Sequence, residues 1–128
     1  MNNDYIYTLT EAADSLIPPG VETMNDWIDS LSESDFNNFY RMCVKRPEER
    51  SGHEDYEICR HSIVLYCREL GLNELGINSE FMNKITGSFC LNVISEALRR
   101  EGVIEVDGSF MLYKESQIKL SEKHKPDK

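Results

Sequence analysis

The dipeptide Asp107-Gly108 lies between two β-rich runs, 103–106 and 109–113. A two-residue loop of this composition favours a type I′ turn, which needs positive φ at both central positions, so a hairpin is predicted over 103–113. Everything upstream has helical spacing. Residues 55–70 place Ile58, Cys59, Ile63, Leu65, Tyr66, Cys67 and Leu70 on a wide apolar face, with Glu57, Arg60, His61 and Arg68 opposite and Gly71 as the stop. Asn78-Ser79-Glu80 can cap a short helix carrying Phe81, Met82 and Ile85. Thr86-Gly87-Ser88 then predicts a tight turn, followed by a helix over 89–101 that Gly102 closes. Nearer the start, Thr10 caps a short helix over 11–17 that Pro18-Pro19-Gly20 ends. Met24, Trp27, Ile28 and Leu31 mark a second helix. Ser32 caps a third, bearing Phe36, Phe39, Tyr40, Cys43 and Val44. Trp27, Phe36, Phe39 and Tyr40 are assigned to packing, because aromatics at helical spacing are usually core. The fold class is therefore mainly α with a small C-terminal β-hairpin. Its expected organisation is an acidic helical segment (1–46) packing on the core, a polar hinge (47–54) with Pro47 and Gly52, a main domain (55–113) and a flexible polar tail (114–128).

Charge is distributed unevenly. Residues 1–40 carry eight acids (Asp4, Glu11, Asp14, Glu22, Asp26, Asp29, Glu33, Asp35) and no Lys or Arg, whereas the tail from Lys114 holds five lysines against three acids. A net charge of −9 opposes non-specific binding to a phosphate backbone, which rewards clustered cations through counterion release. A basic protein surface is the natural partner of the front end. No run of eighteen apolar residues and no signal-type start is present, so neither membrane insertion nor secretion is expected, and the chain reads as cytoplasmic. Cys43, Cys59, Cys67 and Cys90 are scattered through helical patterns, as reduced core thiols would be.

The order helix, short helix, turn, helix, glycine, hairpin over residues 55–113 resembles the winged helix-turn-helix superfamily. So does the junction Leu98-Arg-Arg-Glu-Gly-Val-Ile-Glu-Val-Asp-Gly. The resemblance implies that Leu91, Ile94, Ala97 and Leu98 face the core with Ile85, Ile104 and Val106. It also implies that the helix after the turn presents Ser88, Phe89, Cys90, Asn92, Val93, Glu96 and Arg99. In DNA-binding members of the superfamily such positions carry Ser, Thr, Gln, Arg and Lys. Here Phe89 and Val93 offer no hydrogen bonds, Glu96 would face a negative groove, and the wing has Glu105 and Asp107 but no cation between Val103 and Tyr113.

Enzymatic machinery is not evident. His53, Cys59, His61 and Cys67 do not have metal-site spacing, since Cys59 and His61 point about 200° apart on one helix. No nucleophile motif or phosphate-binding glycine loop occurs. Glu48-Glu49 and Glu54-Asp55 read as loop and cap acids. Two functional expectations follow, neither with a cofactor or metal. The first is a small regulatory or adaptor protein acting by protein–protein contact through Phe89, Val93 and Glu96 and through Asp26, Asp29, Glu33 and Asp35. One version inhibits a nucleic-acid-handling complex by acidic imitation of phosphate, as an accessory protein of a phage or mobile element would. The second is a sequence-specific transcription regulator, dimeric through its front helices, that binds DNA with Ser88, Asn92 and Arg99.

Overall fold

The computed structural model describes residues 5–9, 15–106 and 118–120. The elements are β1 (Tyr5–Thr8), α1 (Met24–Ser30), α2 (Glu33–Val44), a 3-10 turn (Pro47–Glu49), α3 (Gly52–Leu70), β2 (Glu74–Ile77), α4 (Ser79–Arg100), β3 (Ile104–Val106) and β4 (Ile118–Leu120). Among the described residues the protein is mainly helical, with two two-stranded antiparallel sheets, β1–β2 and β3–β4. Of the short helix expected over 11–17, Ser15 and Leu16 are helical and residues 11–14 lie outside the described residues.

Each helix begins where a short polar side chain can accept an otherwise orphaned amide. Thr23 Oγ1 accepts from Asp26 N at 3.1 Å, Ser32 Oγ from Asp35 N at 3.1 Å, and Asn78 Oδ1 from Phe81 N at 2.8 Å. At α3 the exchange is reciprocal: Ser51 Oγ accepts from Glu54 N at 3.1 Å, and Ser51 N donates to Glu54 Oε1 at 2.9 Å. The helix ends at Gly71, whose φ of 69° is left-handed and open to glycine at little cost. This capping box corrects the hinge expected over 47–54. The segment is a 3-10 turn running directly into the first turn of α3, and it is fastened to α2 by Lys45 Nζ–Glu54 Oε2 at 2.8 Å and by Arg50 Nε donating to the Met42 carbonyl at 3.1 Å.

A second correction concerns α4. The turn expected at Thr86-Gly87-Ser88 is absent: one helix of 22 residues runs from Ser79 to Arg100, so the two helices and intervening turn of the resemblance are not found there. Gly87 stays helical, and a single glycine costs a long, well-packed helix only about 1 kcal/mol. Thr86 Oγ1 donates to the Met82 carbonyl one turn back, at 3.0 Å, and so joins the helical ladder.

A third correction concerns the strands. β3 forms where predicted, but its described partner is β4, with Ile104 opposite Leu120 and Val106 opposite Ile118. The segment expected to be a flexible tail thus supplies a strand. The Asp107-Gly108 turn and residues 109–113 lie outside the described residues. β1 and β2 were not expected; they pair from Tyr5↔Ile77 to Thr8↔Glu74, and Leu9 N extends the ladder to the Asn73 carbonyl at 2.9 Å.

A single buried cluster joins the front helices to the rest: Ile17, Met24, Trp27, Ile28, Phe36 and Cys43 pack with Ile58, Leu65, Ile77, Ile85, Phe89 and Val93. Its centre is aromatic. The Trp27 ring lies 4.9 Å from Phe39 and 5.3 Å from Phe89, and Phe39 meets the His61 ring at 4.7 Å. On α4 the buried line is Met82, Ile85, Phe89 and Val93, at spacings of three and four. The stripe expected to face inward is less buried: Ile94, Ala97 and Leu98 are partly exposed and Leu91 is 36% exposed.

Candidate functional site

Phe89 and Val93, expected to form a docking surface, are both 0% exposed. They sit beneath α1 and α2, with Trp27 and Phe39 against the Phe89 ring. Burial of these two apolar side chains is worth roughly 1.5–3 kcal/mol each, and it withdraws them from any partner. The same rotation of α4 disables the base-reading set. Asn92 is 2% exposed and Ser88 half-buried. Arg99 is exposed, but its guanidinium is forked onto Glu96, with Nε–Oε1 at 2.7 Å and Nη2–Oε2 at 2.8 Å. Arg100 Nε adds a third bond to Glu96 Oε2 at 2.8 Å, while its guanidinium carbon stands 4.2 Å from the Phe36 ring centroid. Burial pushes the Glu96 carboxyl up, but the hydrogen bonds from the two arginines outweigh this and hold it below the usual carboxylate range. Glu96 is thus committed to ordering the end of α4.

The second group of candidates fares differently. Asp26, Asp29, Glu33 and Asp35 are all exposed, as is the neighbouring Glu22. Asp26 lies in the first turn of α1, and Glu33 and Asp35 in the first turn of α2, where the helix dipoles favour negative charge. The two helices are joined by only Leu31 and Ser32, so the end of α1, with Asp29, adjoins the start of α2, with Glu33 and Asp35. None of the five forms an ion pair with a described residue, in contrast to Glu49, Glu54, Glu57 and Glu96. Asp26, Asp29, Glu33 and Asp35 thus hold their charge outward on helices capped by Thr23 and Ser32.

His61, expected on the polar side of α3, is 6% exposed. Its Nδ1 lies 2.7 Å from the Glu57 carbonyl, so that nitrogen carries the proton and donates. Desolvation pulls its pKa below the ordinary value of 6.5, against the opposing influence of Glu57. Among the described residues, no cluster of three His, Cys, Asp or Glu side chains could hold a metal ion, and no helix is long and apolar enough to cross a membrane.

Sequence reasoning missed a cluster at the meeting of α2, the 3-10 turn and α4. Arg50 sends Nη2 to the Cys43 carbonyl at 3.4 Å and to Cys90 Sγ at 3.5 Å. Arg50 thus joins the Cys43 backbone to the Cys90 thiol. Nothing in the spacing 43, 50, 90 reveals this, because three separate elements bring the groups together. Beside them, a surface cavity of about 630 Å³ is lined by Pro47, Arg50, Asp55, Cys59, Met82 and Gly87, among others.

Compared with protein-family models, with curated proteins and with solved structures, the chain matches none.

Proposed function

We propose that this protein works by protein contact, and that its working surface is the acidic corner formed by Glu22, Asp26, Asp29, Glu33 and Asp35. The observation that carries the reading is the exposure of all five carboxylates in a region where residues 1–40 contain no Lys or Arg. A set of exposed carboxylates without an ion pair among the described residues raises the local concentration of cationic partners and steers their approach. The partner is a basic protein surface, such as the groove of a nucleic-acid-handling complex, where carboxylates would occupy the place of phosphates. Direct DNA reading has less support, because Asn92 is buried and Arg99 and Arg100 are held by Glu96.

The test is affinity capture from the source cell at about 0.05 M and about 0.5 M salt, where the screening length falls from well above to well below 10 Å. It is run beside a variant carrying Asp26→Asn, Asp29→Asn, Glu33→Gln and Asp35→Asn whose far-UV circular dichroism matches the parent. A partner retained only at low salt and lost in the variant supports the reading. Salt-independent capture by both proteins, or a genomic fragment specifically retarded in a gel-shift with the same preparation, refutes it.

A further inference from the structure

We propose that β1 is a self-association edge, on which a second copy of this chain pairs antiparallel to build a four-stranded sheet in the order β2–β1–β1–β2. In an antiparallel ladder, successive residues point their N–H and C=O alternately toward the partner strand and away from it. The Leu9 amide donates to the Asn73 carbonyl at 2.9 Å, which fixes the phase of that alternation. Tyr5 and Tyr7, like Leu9, turn their backbone groups toward β2, whereas Ile6 and Thr8 turn theirs toward the opposite edge. The sheet has two strands, so among the described residues no strand pairs with that edge. The faces of β1 are open as well: Ile6 is 70% exposed, Tyr7 is 36% exposed, and Thr8 is exposed. A two-stranded ribbon in water is marginal, and further strands are what stabilise it. β1 also carries none of the devices that keep an edge solitary. Tyr5-Ile6-Tyr7-Thr8 has no charge, no proline and no bulge, and its residue types all favour strands.

The occupant follows from the pattern of the edge itself. A copy turned about a two-fold axis at Tyr7 sets Ile6 opposite the partner's Thr8, and Thr8 opposite the partner's Ile6. Both are hydrogen-bonded pairs: the Ile6 amide donates to the partner's Thr8 carbonyl, the partner's Thr8 amide donates to the Ile6 carbonyl, and the symmetry repeats the exchange. One register thus satisfies every outward amide and carbonyl of the strand. A slip of one residue would set outward groups against groups already used in the β1–β2 ladder. The two Tyr7 residues oppose each other at the axis, where strands approach most closely, and Ile6 and the partner's Thr8 share the other face. Charge permits this contact and sets its salt response. The chain carries −9, so two copies repel, yet the strand is neutral and the nearest acids in sequence, Asp4 and Glu11, stand beyond its ends. Salt screens the repulsion, so the association tightens as ionic strength rises, the reverse of the response expected for the carboxylates of α1 and α2. The interface is small, and the dimer therefore dissociates on dilution.

The test is analytical ultracentrifugation of the full-length protein in thiol reductant, at about 0.05 M and about 0.5 M salt and between about 1 μM and about 1 mM protein, where weak complexes dissociate. The expected result is a monomer that passes to a dimer, with tighter association at the higher salt. Hydrogen exchange on the same wild-type samples locates the contact: the Ile6 and Thr8 amides exchange freely in the monomer and become protected in the dimer. The double variant Ile6→Pro, Thr8→Pro removes both outward amides and leaves the donors of the β1–β2 ladder in place, and it weakens association roughly tenfold or more. A monomer throughout, a mass that grows beyond two chains, or a dimer whose Ile6 and Thr8 amides stay unprotected overturns the proposal. So does an unchanged dimer in the proline variant. The exchange measurement decides the matter on the wild-type protein even where the proline variant loses β1.

Discussion

Replacing Phe89 by alanine separates the two possible orientations of α4. Phe89 is 0% exposed and its ring lies 5.3 Å from Trp27 and 6.2 Å from Phe39. Loss of a fully buried phenylalanine side chain removes roughly 1.5–3 kcal/mol of transfer free energy. Each aromatic pair adds about 0.5–1.5 kcal/mol, and the cavity left behind adds to the cost, so a total loss of about 3–5 kcal/mol is expected. Leu91, two positions on and 36% exposed, is the matched control. Its change to alanine leaves a site open to water and costs about 1 kcal/mol. Urea denaturation followed by far-UV circular dichroism measures both, with the single tryptophan as a second probe of the same cluster. In a thermal melt the difference between the variants amounts to about 10 °C, at about 4 °C per kcal/mol for a chain of this size. Equal costs, or a larger cost at Leu91, would refute the orientation. They would also restore Phe89 and Val93 as surface residues.

Three further perturbations test other parts of the structure. His61 is held neutral by burial, with its folded pKa below 6.5, so the unfolded chain binds the extra proton first. Stability is therefore complete above pH 6.5 and lost as pH falls through the folded value; denaturation midpoints between pH 8 and pH 5 should show this slope, and His61→Gln should flatten it. Gly87 is helical with nothing within 4 Å of an added Cβ, so Gly87→Ala should raise stability by about 0.5–1 kcal/mol in the same urea assay. Ser51→Ala removes half of the capping box of α3 and should cost about 1 kcal/mol, with a matching loss of amide exchange protection at Glu54.

The helix starts were legible because their signals are local. Thr23, Ser32 and Asn78 cap as their residue types suggest, and Gly71 stops α3 where the apolar pattern ends. The apolar pattern places the start of α3 at residue 55, later than Gly52, because the capping box at Ser51 and Glu54 has the polar composition of a loop. The strand pair β1–β2 escaped notice for a different reason. Two four-residue strands as far apart in sequence as 5–8 and 74–77 leave no short-range trace, and their register, Tyr5 opposite Ile77, exists only in the folded chain. The acidic corner was readable as composition. Whether its carboxylates would be paired internally was not, since ion pairs such as Lys45–Glu54 depend on where α2 meets α3.

The orientation of α4 shows most clearly what a sequence pattern leaves open. Between Met82 and Leu98 apolar residues fall on nearly every side of the helix, so two stripes, 85/89/93 and 91/94/98, are both consistent with a period of 3.6. Comparison with a winged helix favours the second stripe, because in that architecture the first would be the reading face. The structure favours the first, because α1 and α2 bring Trp27 and Phe39 to it and leave the second only partly covered. A buried Asn92 follows from the same rotation, as does the engagement of Arg99 and Arg100 by Glu96 at the helix end. The acid-rich front thus covers the 85/89/93 face of α4 with its apolar side and leaves its carboxylates exposed, the side to which the proposed function assigns a partner.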